Sequence, residues 1–216
     1  MASIKKNASV KAFTKWLSKV NRTEWEMAVN TNPERGKVYD QHEFHEMFSR
    51  RYGDGEGATK VCHLLEHIVV KRHKPHGYLP EIRNERGTGN QLIDEAKFYE
   101  MVALLPEADL LCPVLKYYTS KSDKVKARSE TMQRNVVIIA QKACKIGNAS
   151  YACRKAEELN RENGFHGEDA NSRYRKMERL ANAQNWRDVL YNPGNSGVIF
   201  DYAQNCYKAV FIDYAL

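Results

Sequence analysis

The sequence predicts an α+β fold in which a strand-rich middle section lies between two helical sections. Three observations support this prediction. Apolar residues recur at helical spacing in the first 20 residues and again over 149–184. Between them, β-branched residues form short continuous runs, of which the clearest is 135–140. Near the C-terminus, the apolar runs 198–200 and 209–212 flank a polar turn and predict a β-hairpin.

The predicted elements alternate between helical and extended periodicity along the chain. Helices are expected at 9–20, after the capping boxes at 23–26 and 40–43, and at 90–105, 149–163 and 170–184. Strands are expected at 60–64, 67–72, 114–118 and 135–140, followed by the terminal hairpin. A connecting segment at 141–147 separates the strand-rich section from the last helices.

These elements suggest three sections. Residues 1–45 form an N-terminal helical extension, residues 46–143 a β-rich lobe with one helix, and residues 144–216 a reduced helical lobe that ends in the hairpin. A chain of 216 residues is long enough to bury a substantial core.

Composition indicates an ordinary globular protein of the cytoplasm. Hydrophobic residues make up 42% and charged residues 28% of the chain, and no apolar run approaches the length of a membrane span. The first 20 residues lack the uninterrupted apolar run of a secretory signal. Five cysteines without a C-x-x-C pair favour reduced thiols over a disulfide framework or a thiolate zinc site.

The formal net charge of +7 predicts attraction to anions without choosing among nucleotides, acidic proteins and nucleic acid. Mild basic clusters occur at 121–134 and 173–179. Because a charged face is usually only solvated, a dedicated nucleic-acid site is not favoured.

The C-terminal hairpin carries the strongest chemical signal. Asn195 follows a Pro-Gly turn, and Asp213 follows the apolar strand that comes after it. Two oxygen ligands at the tips of adjacent strands suit Mg²⁺, which keeps several waters and takes few carboxylates. Sites of phosphoryl transfer place a metal on a nucleotide in this way.

Two further features suit a bound phosphate chain. Gly53, Gly55 and Gly57 form a turn whose backbone amides could approach phosphates closely. Lys71 lies within a predicted strand, where a buried ammonium needs an anionic partner. Glu95 on the following helix is the expected partner, with Glu100 as the alternative.

These motifs occur in the order of the protein-kinase fold. The series is G-D-G-E-G, I-V-V-K, a helix with a central glutamate, V-V-I-I-A-Q-K-A, N-P-G-N and I-D-Y-A. Over residues 48–216 the chain resembles the small divergent kinase-like proteins of bacteriophages. The resemblance therefore implies a small β-rich lobe with one helix, a reduced helical lobe, and extra N-terminal helices.

The resemblance also implies roles for named residues, with ATP and Mg²⁺ as cofactors. The three glycines would cover the phosphates, Lys71 would contact the α- and β-phosphates, and Glu95 would orient Lys71. Residues Gln141, Lys142 and Ala143 would form the hinge that hydrogen-bonds adenine. Asn195 and Asp213 would hold Mg²⁺. Lys71 and this pair are expected to face one cleft.

Three departures from the family pattern bear on catalysis. Leu190 occupies the position of the catalytic base, and Asp188, two residues earlier, is the substitute candidate. The glycine loop is out of register, with Ala58 at the third glycine position. In the family, the activation segment and later helices would follow Leu216 and bury the catalytic loop from below. The apolar residues left by their absence are expected to be covered instead by the N-terminal helices, with Phe13, Trp16 and Trp25, or by a dimer partner.

Two functions are consistent with this pattern. The first is a Mg²⁺-dependent protein kinase that transfers the γ-phosphate of ATP to a Ser or Thr hydroxyl of a host protein. The second is an inactive pseudokinase that binds and inhibits host machinery through its basic surface.

A zinc site is the remaining alternative. His63-Leu-Leu-Glu66-His67 matches the H-x-x-E-H motif, which requires both histidines on one helical face. The surrounding residues are β-like, which argues against this interpretation. His42 and His45 also have helical spacing, but such pairs are usually surface residues.

Overall fold

The computed structural model describes residues 8–20, 60–64, 66–73, 106–121 and 134–213. It has a mixed α/β fold with small antiparallel sheets and a few helices, which confirms the predicted α+β class. The elements are helix α1 Ala8–Val20, strands β1 Lys60–Leu64 and β2 Ile68–His73, a 3₁₀ helix Pro106–Leu110, strands β3 Val114–Lys121, β4 Arg134–Gln141 and β5 Cys144–Gly147, helices α2 Ala149–Asn163, α3 Ala170–Ala183 and α4 Arg187–Tyr191, and strands β6 Ser196–Asp201 and β7 Cys206–Phe211.

Most predicted elements that fall on described residues are confirmed to within one or two residues. The bounds of α2 match the prediction, and β2 begins at Ile68 rather than His67. Strand β3 is longer than predicted, since it continues to Lys121. The predicted helices after 23–26 and 40–43 and at 90–105 lie outside the described residues.

The chain divides into two compact units. We call them the hairpin unit, with residues 8–16, 106–113 and 143–213, and the sheet unit, with residues 17–20, 60–64, 66–73, 114–121 and 134–142. The predicted three-section division at 45 and 143 stays a prediction.

The sheet unit contains a four-stranded antiparallel sheet in the order β1-β2-β4-β3. Strand β4 therefore has a neighbour on each side, and its residues Ile138 and Ala140 are buried. This position explains the β-branched run that predicted the strand, because an interior strand needs apolar residues that favour extended backbone. The strand ends at Gln141, where the connector begins.

The hairpin unit contains the antiparallel sheet β5-β6-β7, which α2 covers. The prediction of an irregular connector over 141–147 is wrong for its last four residues. These residues form β5, in which Cys144 pairs with Val198 and Gly147 pairs with Ser196. A strand of four residues is too short to show the alternation of apolar and polar residues that predicts a strand. Its hydrogen-bonding partner β6 is also distant in sequence.

Local signals in the sequence explain the helix ends. Asn148 caps α2 by accepting a hydrogen bond from the Tyr151 N–H at 2.8 Å, and Asp169 caps α3 in the same way. Gly164 ends α2 in the left-handed region at φ 69°, which costs a glycine little. The buried residues of α2 include four small ones, Ala149, Ala152, Cys153 and Ala156, and the Cys153 thiol contacts Met177 of α3.

Helix α1 covers the tip of the β6–β7 hairpin. Phe13 is fully buried, and its ring stacks on Tyr202 with centroids 5.6 Å apart. Trp16 stacks on the same tyrosine at 4.6 Å. Phe13 and Trp16 thus contact an aromatic residue of the hairpin tip, while Trp25 lies outside the described residues. Burial raises the pKa of Tyr202 to about 12, so its hydroxyl stays neutral.

Four cysteines of the described residues are free thiols in different environments. Cys112, Cys153 and Cys206 are buried free thiols, and Cys144 is an exposed one. Burial raises the pKa of Cys153 to about 12, which keeps the thiol protonated and unreactive at neutral pH. Within the described ranges, no helix combines the length and apolar character that a membrane crossing requires.

Candidate functional site

A tight turn sets the start of strand β6. The Asn195 N–H donates to the Asn192 carbonyl at 3.3 Å, which closes a β-turn with Pro193 and Gly194 at its centre. The Asn192 side chain accepts a second hydrogen bond from the Gly194 N–H at 2.9 Å. Proline and asparagine are the residues that favour this geometry. The turn therefore holds the backbone of Asn195 at the entrance to the strand.

The register of the hairpin brings Asn195 and Asp213 to the same end. Ser196 pairs with Phe211, and beyond this pair the Ile212 N–H donates to the Asn195 carbonyl at 2.9 Å. Asp213 is the next residue, so its backbone lies about 6 Å from that of Asn195 by ordinary strand spacing. Both side chains are half-buried. We call this end, with its amide and its carboxylate, the open end of the hairpin.

The open end provides few protein ligands. Among the residues that the structure describes, no three side chains of histidine, cysteine, aspartate or glutamate come together as a metal-binding group. One carboxylate and one amide oxygen fit Mg²⁺, which keeps waters and phosphate oxygens as its other ligands. They do not fit a structural zinc site, which needs four nitrogen or sulfur ligands.

Strand β7 is held in place just before Asp213 by a buried arginine. Arg173 is 3% exposed, and its Nε donates to the Ala209 carbonyl at 2.9 Å. Its guanidinium also donates to the Asp109 carboxylate at 2.7 Å and to the Asp109 carbonyl at 2.6 Å. The Cys112 N–H then donates to the Phe211 carbonyl at 2.9 Å. We call the set Arg173, Asp109 and Ala209 the arginine clasp.

A buried ion pair holds the other end of the hairpin. Lys208 Nζ lies 2.8 Å from the Asp201 carboxylate, and both side chains are less than a tenth exposed. Asp201 also accepts hydrogen bonds from the N–H groups of Ala203 and Gln204 at 2.9 and 3.2 Å. Burial alone would raise the pKa of Asp201, but the hydrogen bond and charge of Lys208 and the two amides outweigh it, so the pKa is lowered.

The predicted substitute for the catalytic base lies on a short helix before the turn. Asp188 is exposed in the first turn of α4, and its carbonyl accepts a hydrogen bond from the Asn192 N–H at 2.9 Å. Leu190, at the position of the family's base, is 2% exposed and belongs to the core. Asp188 is the one acidic residue between 186 and 195.

The end of the predicted hinge packs against the hairpin. Ala143 is buried, and its methyl group occupies the space above Gly197, where an added Cβ would come within 2.8 Å. Gly197 lies two residues after Asn195. The structure thus brings Ala143 close to the strand that begins at the open end. The sequence did not reveal this contact, because the two residues lie in separate predicted elements.

The other two hinge residues lie at the end of β4. Gln141 is buried, whereas Lys142 is exposed. The Lys142 N–H donates to the His67 carbonyl at 2.9 Å, which continues the pairing of β2 with β4. The backbone N–H of Lys142 is therefore used within the sheet.

Lys71 lies in the interior of its sheet, as the sequence suggested. It is 7% exposed on β2, where it pairs with Cys62 of β1 and Ile138 of β4. Lys71 belongs to the sheet unit, and Asn195 and Asp213 belong to the hairpin unit. A cleft shared by these residues stays a prediction. Gly53, Gly55, Gly57 and Glu95 lie outside the described residues, and their roles also remain predictions.

The zinc alternative is not supported on the described residues. His63 pairs with Val70 in β1, and His67 lies in the turn before β2, so the two histidines do not share a helical face. His42 and His45 lie outside the described residues.

Sequence reasoning missed the arginine clasp and the buried Lys208. Lys208 lies within an apolar strand run, as Lys71 does, so the argument that a buried ammonium needs an anion applies to both. Asp201, at the end of the neighbouring strand, would have been the partner to choose. Arg173 gave no such signal, because the basic cluster around it resembles a solvated helix face.

Comparisons with known proteins do not assign this chain to a family. No known protein family, no curated protein and no solved structure matches the chain.

Proposed function

We propose that the protein is a kinase-like nucleotide-binding protein that takes ATP with Mg²⁺. The observation that carries the proposal is the register of the β6–β7 hairpin, which places Asn195 and Asp213 at one open end. In this proposal both side chains contact the metal, and the metal joins them to the phosphates of the nucleotide. The half-burial of both residues leaves them accessible to a ligand.

The arrangement of the sheet unit supports the same proposal. Lys71 of β2 pairs with Ile138 of β4, and Gln141 lies three residues further along β4. Ordinary strand spacings therefore place the Cα atoms of Lys71 and Gln141 about 11 Å apart. A nucleotide whose base contacts the hinge and whose phosphates contact a lysine must span such a distance. The two strands are hydrogen-bonded neighbours, as this function requires.

The hydrogen bonds refine the proposed contacts to the base. Because the Lys142 N–H donates to His67, it is not available to adenine. The proposed contacts are therefore the backbone groups of Gln141 and Ala143. Lys142 is therefore the one predicted hinge residue whose backbone N–H is not proposed to bind adenine.

A second candidate function is an inactive pseudokinase that binds a protein partner. The burial of Leu190 favours it, since the position of the family's base is filled by a core side chain. In an active enzyme, Asp188 would accept the proton of the Ser or Thr hydroxyl. In the pseudokinase, nucleotide binding would serve only to stabilise the fold or to control partner binding.

A thermal-shift titration tests nucleotide binding. A ligand at 100 times its Kd stabilises the folded state by about 2.7 kcal/mol. For a chain of this length that free energy corresponds to a rise in Tm of roughly 5–10 °C. We expect this rise with ATP and Mg²⁺ together, and a much smaller one when EDTA replaces Mg²⁺.

Matched variants locate the metal site. Asp213→Asn is expected to remove the Mg²⁺-dependent part of the shift, because it removes the only charged ligand that we assign. Glu157→Gln changes an exposed carboxylate on α2 and should leave the shift intact. If the wild-type protein shows no shift, or if Asp213→Asn retains it, the proposed nucleotide site is wrong.

Asp188→Asn separates the two candidate functions. The substitution leaves the nucleotide contacts in place, so the thermal shift should persist. In an active kinase the loss of a general base lowers the rate by about 10²–10⁴-fold. Phosphotransfer is measured with radiolabelled ATP on a mixture of candidate host proteins. If the wild-type protein binds nucleotide but transfers no phosphate, the pseudokinase function is retained.

A further inference from the structure

The exposed side of helix α4 carries three side chains close to the open end of the hairpin. Arg187, Asp188 and Tyr191 are all exposed, and Tyr191 keeps 61% of its surface accessible. Residues three or four apart on a helix are neighbours, with Cβ atoms about 5–6 Å apart. Tyr191 therefore lies beside both Arg187 and Asp188. We call these three residues the α4 patch.

The α4 patch is anchored from below. Val189 and Leu190, which lie between the exposed residues in sequence, are each 2% exposed and belong to the core. The Tyr191 hydroxyl lies near that of Tyr174 on α3, whose pKa is raised first by burial and then by this neighbour. A ring placed in this way has little freedom to lose when a partner binds, which favours affinity.

The patch adjoins the proposed metal ligand Asn195. Asn192 follows Tyr191 directly, and the β-turn that it begins is closed by the Asn195 N–H. The first and last Cα atoms of such a turn lie within about 7 Å. The Cα atoms of Tyr191 and Asn195 are therefore no more than about 11 Å apart. A polypeptide chain that brings a hydroxyl to Asp188 must pass close to Tyr191.

The composition of the patch fits a polypeptide better than a nucleic acid. Tyrosine and arginine are among the residues most enriched at the hot spots of protein interfaces. Arg187 and Asp188 cancel in formal charge, so the patch offers no net positive field to a polyanion. The following turn, 192–194, is exposed and contains no charged residue.

We infer that the α4 patch binds the acceptor polypeptide and selects it by the residues that flank its Ser or Thr hydroxyl. The inference rests on the active form of the proposed function. In that reaction the Asp188 carboxylate takes the hydroxyl proton, and the hydroxyl oxygen forms a bond to the γ-phosphorus of ATP. The bond from this phosphorus to the bridging oxygen breaks, and ADP leaves with the bonding electrons. Asp188 then returns its proton to water.

Spacing indicates which acceptor residue reaches the tyrosine. Alternate side chains of an extended chain point to the same side and lie about 7 Å apart. This distance is close to the separation of about 5–6 Å between the Cβ atoms of Asp188 and Tyr191. An acceptor hydroxyl at Asp188 therefore brings the side chain two residues away to the ring of Tyr191. An aromatic or large apolar residue is favoured there.

The charge of Arg187 adds a second element of selection. Arg187 forms no ion pair with the residues that the structure describes. By contrast, Lys155 and Lys176 on the neighbouring helices lie 2.6 and 2.7 Å from glutamates. A guanidinium binds a carboxylate through two parallel hydrogen bonds. An aspartate or glutamate in the acceptor near its hydroxyl is therefore favoured as well.

The test for Tyr191 uses arrays of peptides that contain one central Ser or Thr and vary one flanking position at a time. The full chain is assayed on them with ATP and Mg²⁺. We expect Tyr191→Ala to lose the preference for an aromatic residue and to raise KM for the best peptide by about tenfold or more. Tyr191→Phe keeps the ring and should keep the preference. The control Ile146→Ala removes an apolar side chain that is 52% exposed on β5, and it should change neither property.

The test for Arg187 is a reversal of specificity. Arg187→Glu should exchange the preference for an acidic flanking residue for a preference for a basic one. Arg179→Glu makes the same change of charge at an exposed position of α3 and should leave the acidic preference in place. A gain of affinity for basic peptides cannot result from damage to the fold, so this variant tests the patch even where Tyr191→Ala is unstable.

The thermal shift with ATP and Mg²⁺ separates failure of this inference from failure of the proposed function. A wild-type protein that shows the shift but phosphorylates no peptide would overturn the inference and leave the nucleotide site standing. Unchanged peptide preferences in both Tyr191→Ala and Arg187→Glu would also overturn it. Loss of the shift in Tyr191→Ala would assign the tyrosine to nucleotide binding instead. A wild-type protein with neither shift nor transfer would overturn both proposals.

Discussion

At the scale of single residues, the hairpin unit buries charge only where the charge is matched. Lys208 is paired with Asp201, and Arg173 donates to one carboxylate and two carbonyls. An unmatched charge in the interior would cost several kcal/mol, so each partner is needed for the other to be tolerated. These side chains serve to hold backbone at the two ends of the hairpin.

Asp201→Ala is expected to destabilise the protein strongly. It would leave the Lys208 ammonium buried without its partner, which costs about 3–5 kcal/mol in comparable sites. The double variant Asp201→Ala/Lys208→Met should recover much of the loss, because it removes both charges. Urea denaturation measures both effects, and equal stability of the single and double variants would contradict the assignment.

The same carboxylate predicts a pH dependence. The pKa of Asp201 is lowered in the folded state, so its contribution to stability is complete above the unfolded pKa of about 3.9. That contribution is lost as the pH falls through the lower folded pKa. We therefore expect the wild-type protein to lose more stability than the double variant between pH 4 and pH 2, as measured by thermal denaturation at each pH.

Gly197→Ala is expected to destabilise by about 1–3 kcal/mol, the usual cost of overpacking a core. The new methyl group would lie 2.8 Å from the Ala143 Cβ, closer than carbon atoms approach without displacement. Gly194→Ala is the control, since its nearest described neighbour would be the Asn192 side chain at 3.6 Å. Similar Tm values for the two variants would show that Ala143 moves away freely.

At the scale of elements, the arginine clasp joins three pieces of chain that are far apart in sequence. Arg173 belongs to α3, Asp109 to the 3₁₀ helix, and Ala209 to β7. The pairing of Cys112 with Phe211 extends the contact towards the open end of the hairpin. The clasp thereby restricts the strand that leads to Asp213.

Arg173→Lys is expected to loosen this arrangement while keeping the charge. Lysine cannot reproduce the fork, and each buried carbonyl left without a donor costs about 1–3 kcal/mol. The amide of Cys112 should then exchange with solvent faster than in the wild-type protein. Arg175→Lys, at an exposed position on the same helix, should change stability by less than about 0.5 kcal/mol. Unchanged exchange at Cys112 in Arg173→Lys would contradict the role of the clasp.

At the scale of the whole molecule, the two compact units are interlaced along the chain. Within the described residues the chain passes from one unit to the other after Trp16, after Pro113 and after Lys142. Each unit therefore contains segments from separate parts of the sequence. Neither corresponds to one continuous stretch that could fold before the other was synthesised.

This interlacing predicts a single cooperative unfolding transition. Backbone amide signals of β2 and β4 in NMR spectra report the sheet unit, and those of α2 and α3 report the hairpin unit. We expect the two signals to change at the same urea concentration, because loss of one unit removes chain constraints from the other. Separated midpoints would show that the units unfold independently.

Prediction from sequence succeeded where the signal was local. Helical periodicity over 149–163 and 170–184 marked α2 and α3, and the β-branched run marked β4. It failed for β5, whose four residues become a strand only by pairing with β6. For the candidate site, the sequence indicated Asn195, Asp213 and a buried Lys71, but it gave no sign of the arginine clasp.

The amino-acid sequence by itself determined the class of fold, the bounds of most helices and strands, and the polar residues on the terminal hairpin. These properties depend on periodicity and capping within a few neighbouring residues. Only the tertiary structure decided that Ala143 packs on Gly197, that Arg173 joins Asp109 to Ala209, and that Lys142 donates to His67. Such contacts join residues distant along the chain, and their free energy exists only once the packed backbone has brought the partners together.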